Sequence, residues 1–125
     1  MTEPKGFRDL KVYRLAYNLS LEVFELTKGF PAEEKFSLSD QIRRSSRSVV
    51  ANIAEGYRKR RCSLAFVAKM VDADGEATET QVWLDTARDC GYLSSERHQE
   101  LINSYEEVGR MLGGMIAHPE RFSIL

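Results

Sequence analysis

The chain has 125 residues, 42% of them hydrophobic, which is enough for one compact core and too few for two comfortable domains. Its 18 Lys and Arg against 19 Asp and Glu leave a net charge of -1, without the overall basic excess of a dedicated nucleic-acid binder. A single domain over residues 1–125 is expected, and any electrostatic function must come from how its charges are distributed.

The opening stretch MTEPKGFRDLK carries no apolar signal region. No uninterrupted apolar run anywhere approaches the roughly 20 residues that span a bilayer. The expectation is a soluble, cytoplasmic protein with no membrane partner.

Glycine and proline then cut the chain into four segments of helical periodicity, and none reads as a strand. The first spans about residues 9–28 and is closed by Gly29 and Pro31. Its charged and amide positions Lys11, Arg14, Asn18, Glu22 and Glu25 crowd into a narrow arc, and apolar side chains cover nearly everything else.

The second segment spans about 38–60, with Ser37 and Asp40 at the spacing of a capping box. Projected as a helix, Leu38, Ile42, Val49 and Ile53 form its core stripe. Gln41, Ser45, Ser48, Asn52 and Glu55 line one border, and Arg43, Arg47 and Arg58 lie across the far side with Ala51 and Ala54.

The third segment, about 64–90, has two apolar stripes. Phe66, Met70, Ala73, Ala77, Leu84 and Ala87 make one; Leu64, Val67, Ala68, Val71, Gly75 and Val82 make the other on the opposite side. Asp72, Glu76 and Glu79 separate them on one flank, and Asp74, Gln81 and Asp85 on the other. The fourth segment, about 95–117, has one stripe through His98, Leu101, Ile102, Tyr105, Val108, Gly109, Leu112, Met115 and Ile116, and is stopped by Pro119.

Four such helices with short connections predict an all-α, up-and-down antiparallel four-helix bundle. A lone bundle offers each helix one buried side, so the extra apolar faces of helices one and three predict self-association. Because two different helices would meet, a contact that closes into a ring-like homo-oligomer is as natural as a two-fold dimer.

Between Ser37 and Arg61 stand seven cations (Arg43, Arg44, Arg47, Arg58, Lys59, Arg60, Arg61) and two anions (Asp40, Glu55). From Cys62 to Cys90 there are two cations and six anions, so adjacent helices carry opposite charge. Two readings follow. The arginines answer the acids of helix three as exposed ion pairs, each worth about 0–1 kcal/mol, or they contact phosphate. The second reading weighs most on Arg58 to Arg61, which no acid flanks.

Enzyme chemistry finds little footing. Neither His98 nor His118 has a Glu three residues before it, as di-iron bundle sites require. There is no nucleophile elbow, P-loop or glycine-rich phosphate cradle. No catalytic residue, metal site or cofactor is expected, and Glu55 with Glu79 is the nearest approach to a carboxylate pair. Cys62 and Cys90 bracket the third helix, which at about 1.5 Å per residue holds them far beyond the 7 Å or so that a disulfide allows.

The stretches FRDLKVYRLAYNLSLEVFELTKGFP, LSDQIRRSSRSVVANIAEGYRKR and DADGEATETQVWLDTARDCGYL closely resemble the four-helix-bundle proteins known as 23S ribosomal RNA intervening-sequence proteins. The resemblance runs from Phe7 to about Leu112, and its most specific part is Gln41 to Gly56. It implies a homopentameric ring, and open reading frames that lie within bacterial ribosomal RNA genes or stand alone. A related branch resembles the accessory variability determinant proteins of diversity-generating retroelements, basic pentamers that bind a reverse transcriptase and nucleic acid. The resemblance carries no catalytic residues. This chain departs from that branch in its pI of about 6.1. It departs from many family members in having Val50 where they have proline, so helix two is expected to be less kinked.

The sequence thus predicts a non-enzymatic oligomer that contacts RNA or DNA, or docks a nucleic-acid enzyme, through Arg43, Arg44, Arg47, Arg58, Lys59, Arg60 and Arg61. The alternative is a purely structural or protein-docking oligomer whose arginines pair with Asp72, Asp74, Glu76 and Glu79.

Overall fold

The computed structural model of the chain describes residues 4–122, so the ends of the expected 1–125 domain lie outside the described residues. Four helices carry the structure: α1 (Lys11–Thr27), α2 (Leu38–Arg58), α3 (Ser63–Asp89) and α4 (Ser95–Ala117). Short 3-10 turns stand at Phe7–Asp9, Ala32–Glu34 and Pro119–Arg121, and there is no strand among the described residues. Helix α1 packs on α2, α2 on α3, α3 on α4, and α4 back on α1. The four close around one core, as the short connections require of a bundle.

The stripes read from the sequence are the buried ones. Ile42, Val49 and Ile53 of α2, Met70, Ala73 and Leu84 of α3, and Tyr105, Val108 and Leu112 of α4 are inaccessible to solvent. Helix α2 runs unbroken through a buried Val50. The second stripe of α3 faces outward: Leu64 is 83% exposed, and Val71 and Val82 about half. Tyr17 and Leu21 on α1 are exposed to a similar degree.

The ends of the helices show which caps the chain uses. Ser94 accepts the Arg97 N–H and so caps α4 through its side chain. Helix α3 ends on Gly91 at φ 81°, where the Gly91 N–H reaches the Arg88 carbonyl and the Tyr92 N–H the Ala87 carbonyl. The capping box expected at Ser37 and Asp40 is not formed. Ser37 instead donates to Glu34 Oε1 at 2.6 Å, and the same oxygen accepts the Leu38 N–H at 3.3 Å. The carboxylate that accepts the first N–H of α2 therefore comes from the turn before it. The Tyr92 hydroxyl donates to the other Glu34 oxygen at 2.9 Å, tying the α3–α4 turn to this corner. These three donors hold the Glu34 carboxyl below the usual range, the Ser37 bond foremost.

Gly56 is set by packing rather than by a turn. A Cβ there would lie 2.8 Å from Met70 Cε and 2.9 Å from Lys69 Cβ, so the closest approach of α2 to α3 depends on its absence. Gly113 and Gly114 have no such neighbour: both are exposed, and close packing does not explain them.

Candidate functional site

The seven cations between Arg43 and Arg61 divide by the side of α2 on which they stand. Arg43, Arg47 and Arg58 lie on the border facing α1, where the sequence offers aromatic rings rather than acids. The Arg43 Nε–H donates to Thr27 Oγ1 at 2.7 Å, and its guanidinium carbon sits 4.8 Å from the centre of the Phe24 ring. Arg47 lies 5.6 Å and Lys28 Nζ 4.8 Å from the same ring. Further along, Arg58 and Arg8 lie 5.5 and 4.5 Å from the Phe7 ring. Each such contact is worth about 0.5–1 kcal/mol at an exposed site, and it leaves the cation's charge in place.

Arg44 stands on the other border. It makes an i,i+4 ion pair with Asp40 at 3.8 Å and lines a polar cleft of about 380 Å³ with Gln41, Ser45, Ser48, Glu76 and Glu79. Below the cleft, buried Thr80 Oγ1 and Ser45 Oγ are hydrogen-bonded at 2.8 Å. Glu76 carries a carboxyl shifted upward, first because its surroundings desolvate it and then because Glu79 and Asp72 repel its charge.

The remaining three cations cap the α2–α3 turn. Arg60 lies 3.5 Å over the Tyr57 ring with its Nη1 buried and without a hydrogen-bond partner among the described residues. Lys59 and Arg61 are exposed. Arg44–Asp40 is thus the one ion pair made by the seven among the described residues.

The pairing expected between these arginines and Asp72, Asp74, Glu76 and Glu79 does not occur within the single chain. The two helices are joined instead by Lys69 and Glu55 at 3.4 Å. Glu55 thus pairs with Lys69, while Glu79 Oε2 accepts the Trp83 Nε1–H at 3.2 Å, so each member of the carboxylate pair considered from the sequence has another partner. His98 is buried against Asp85, with Nε2 2.7 Å from Oδ1, and His118 closes α4 beside Glu120. Cys62 and Cys90 are exposed free thiols at opposite ends of α3. Among the described residues no group of three His, Cys, Asp or Glu is placed to hold a metal ion, and no helix is long and apolar enough to cross a membrane.

What the sequence reading missed is the aromatic side of the arrangement. Phe7 and Tyr13 meet edge to face at 5.1 Å between ring centres, and Tyr13 and Tyr17 stack at 5.9 Å with 17° between planes. The signal was present in the i,i+4 spacing of Tyr13 and Tyr17, which places both rings on one face of α1. With Ser20, Arg47, Val50, Ala51 and Ala54 these rings line a groove of about 280 Å³.

Fold and surface together define a four-helix bundle with an arginine-rich second helix. The sequence model of the 23S rRNA-intervening sequence proteins matches residues 8–114, and the chain belongs to that family. It is also similar to the crystal structure of a protein of unknown function from the S23 ribosomal protein family of Bacteroides thetaiotaomicron VPI-5482. That similarity has a TM-score of 0.76 at 28% identity over 85% of this chain and 95% of that one. No curated protein matches the chain.

Proposed function

We propose that the protein is a non-enzymatic, cytoplasmic accessory module that assembles into a ring-like homo-oligomer, five-fold in symmetry, and contacts nucleic acid or a nucleic-acid enzyme through its arginine-rich second helix. The observation that carries this reading is the state of the cations. Of Arg43, Arg44, Arg47, Arg58, Lys59, Arg60 and Arg61, only Arg44 has a carboxylate partner among the described residues. Those over rings keep their charge for an external anion. Ribosomal RNA is the nucleic acid that the family's description names.

Assembly would bring the outer stripe of α3, with Leu64, Val71 and Val82, against the exposed Leu21 side of α1 on the next subunit. These faces leave large apolar side chains in water in the single chain. A ring repeats the basic edge once per subunit, so contacts weak in one copy gain by avidity.

A second reading has its own support. Asp72, Asp74, Glu76 and Glu79 make no ion pair among the described residues, so a neighbouring subunit's arginines could answer them in a protein-docking oligomer that binds no nucleic acid.

The experiment is binding of a labelled structured RNA across a salt series, beside the mass of the particle by light scattering. The variant is Arg47→Gln, Arg58→Gln and Arg61→Gln combined. Binding that weakens steeply with salt, with a shallower slope in the variant and an unchanged mass, supports the first reading. A particle that fails to assemble in the variant and a wild type that binds no RNA at low salt support the second.

A further inference from the structure

The α1/α2 groove combines two features that phosphate contact alone does not need. Its wall carries the ladder Phe7, Tyr13 and Tyr17, ending in a Tyr17 that is 44% exposed. Its floor is made of the small side chains of Val50, Ala51 and Ala54. Arg47 lines the groove; Arg8 and Arg58 lie on the Phe7 ring of its wall, and Arg43, one helical turn before Arg47, lies on the Phe24 ring beside it. No carboxylate lines the groove, and the nearby Asp9 is engaged by Arg14 at 3.3 Å.

A duplex offers its phosphates to such cations but keeps its bases stacked on one another, where an open aromatic ring has nothing to meet. An unpaired strand offers both a flat base face and a backbone of phosphates. Proteins that bind single strands without sequence preference pair a basic track with aromatic platforms of this kind.

We propose that this groove binds single-stranded nucleic acid, with an unpaired base stacked on Tyr17 and the adjoining phosphates held by Arg47, Arg43 and Arg58. The inference rests on the nucleic-acid reading given above and narrows it to one face and one kind of strand. Arg44 and Glu76, across the helix, take no part.

The test uses the full chain with three labelled ligands of equal length: oligo(U), oligo(dT) and a blunt duplex. Tyr17→Leu keeps an apolar side chain at an exposed position and removes only the ring; Tyr17→Phe restores the ring. Both single strands, or one of them, should bind more tightly than the duplex. Tyr17→Leu should weaken that binding about fivefold or more with little change in its salt slope, and Tyr17→Phe should recover it. Arg47→Gln should instead make the slope shallower.

Equal binding of duplex and single strands, with Tyr17→Leu neutral and Arg47→Gln weakening both, would overturn the stacking inference while the phosphate reading stands. A smaller particle mass in Tyr17→Leu would overturn it in favour of a subunit interface. Failure of every ligand at low salt would remove the broader reading, and this one with it.

Discussion

The two borders of α2 hold arginine in different ways. Toward α1, Arg43, Arg47 and Arg58 lie over the rings of Phe24 and Phe7, and no carboxylate lines the groove between them. Toward α3, Arg44 pairs with Asp40 and shares a cleft with Glu76 and Glu79. The first border fixes cations while leaving their field intact; the second surrounds its cation with anions and largely cancels it. A chain of net charge -1 can therefore present a locally positive groove, because no carboxylate lines it.

The steric difference between the borders gives the largest expected effect. Valine at Gly56 would drive a Cβ and two methyls into Met70 and Lys69, which already lie within 2.9 Å of an ideal Cβ. Gly56→Val should cost about 2–3 kcal/mol in a urea melt. Ala51→Val, one helical turn earlier on the exposed α1 side, should stay within about 0.5 kcal/mol. Equal costs would mean that the tight approach belongs to the whole of α2 rather than to its α3 border.

Next in size is the hydroxyl pair under the polar cleft. Thr80→Val keeps the shape and leaves the buried Ser45 hydroxyl without its 2.8 Å partner, at a cost of about 1 kcal/mol. Adding Ser45→Ala should recover most of that loss, since two apolar groups of matched shape leave nothing unsatisfied. Additive losses in the double-mutant cycle would show that the two hydroxyls are not coupled.

The arginines themselves should differ more in binding than in stability. Arg47→Gln and Arg44→Gln are each expected to change stability by less than about 1 kcal/mol. In an RNA salt series, Arg47→Gln should reduce the slope by roughly 1, and Arg44→Gln should leave it nearly unchanged. An equal reduction by both would place phosphate on both borders and dissolve the contrast.

The fold and the site were legible in the sequence to different depths, for a physical reason. Buried stripes repeat with the helix period, so Ile42, Val49 and Ile53, and the two faces of α3, could be placed by projection alone. The polar and basic borders of α2 followed from the same projection. What lies opposite a border is set by another helix and has no local signature. Charge balance suggested that the arginines would meet the acids of α3, but Arg43 and Arg58 point to Phe24 and Phe7, which come from upstream of α2. The cap failed similarly: Ser37 and Asp40 had suitable spacing, yet Glu34 was brought closer by the preceding turn.

The smallest effect tests the electrostatic side of the contrast. Desolvation, with Glu79 and Asp72 nearby, raises the Glu76 carboxyl above its value of 4.5 in an open chain. A group whose folded pKa is raised binds its proton more tightly in the folded state, so ionising it lowers stability as pH climbs from 4.5 through the folded value. Glu76→Gln should therefore stabilise the protein above that window, and the gain should vanish below pH 4.5. Melts of wild type and variant across that range decide the sign. A variant less stable at neutral pH would mean that ionised Glu76 has a cationic partner, and Arg44, which lines the same cleft, would be the first to test. The cation of the α3 border would then be neutralised from both helices, which leaves the α1 border as the face whose cations remain available.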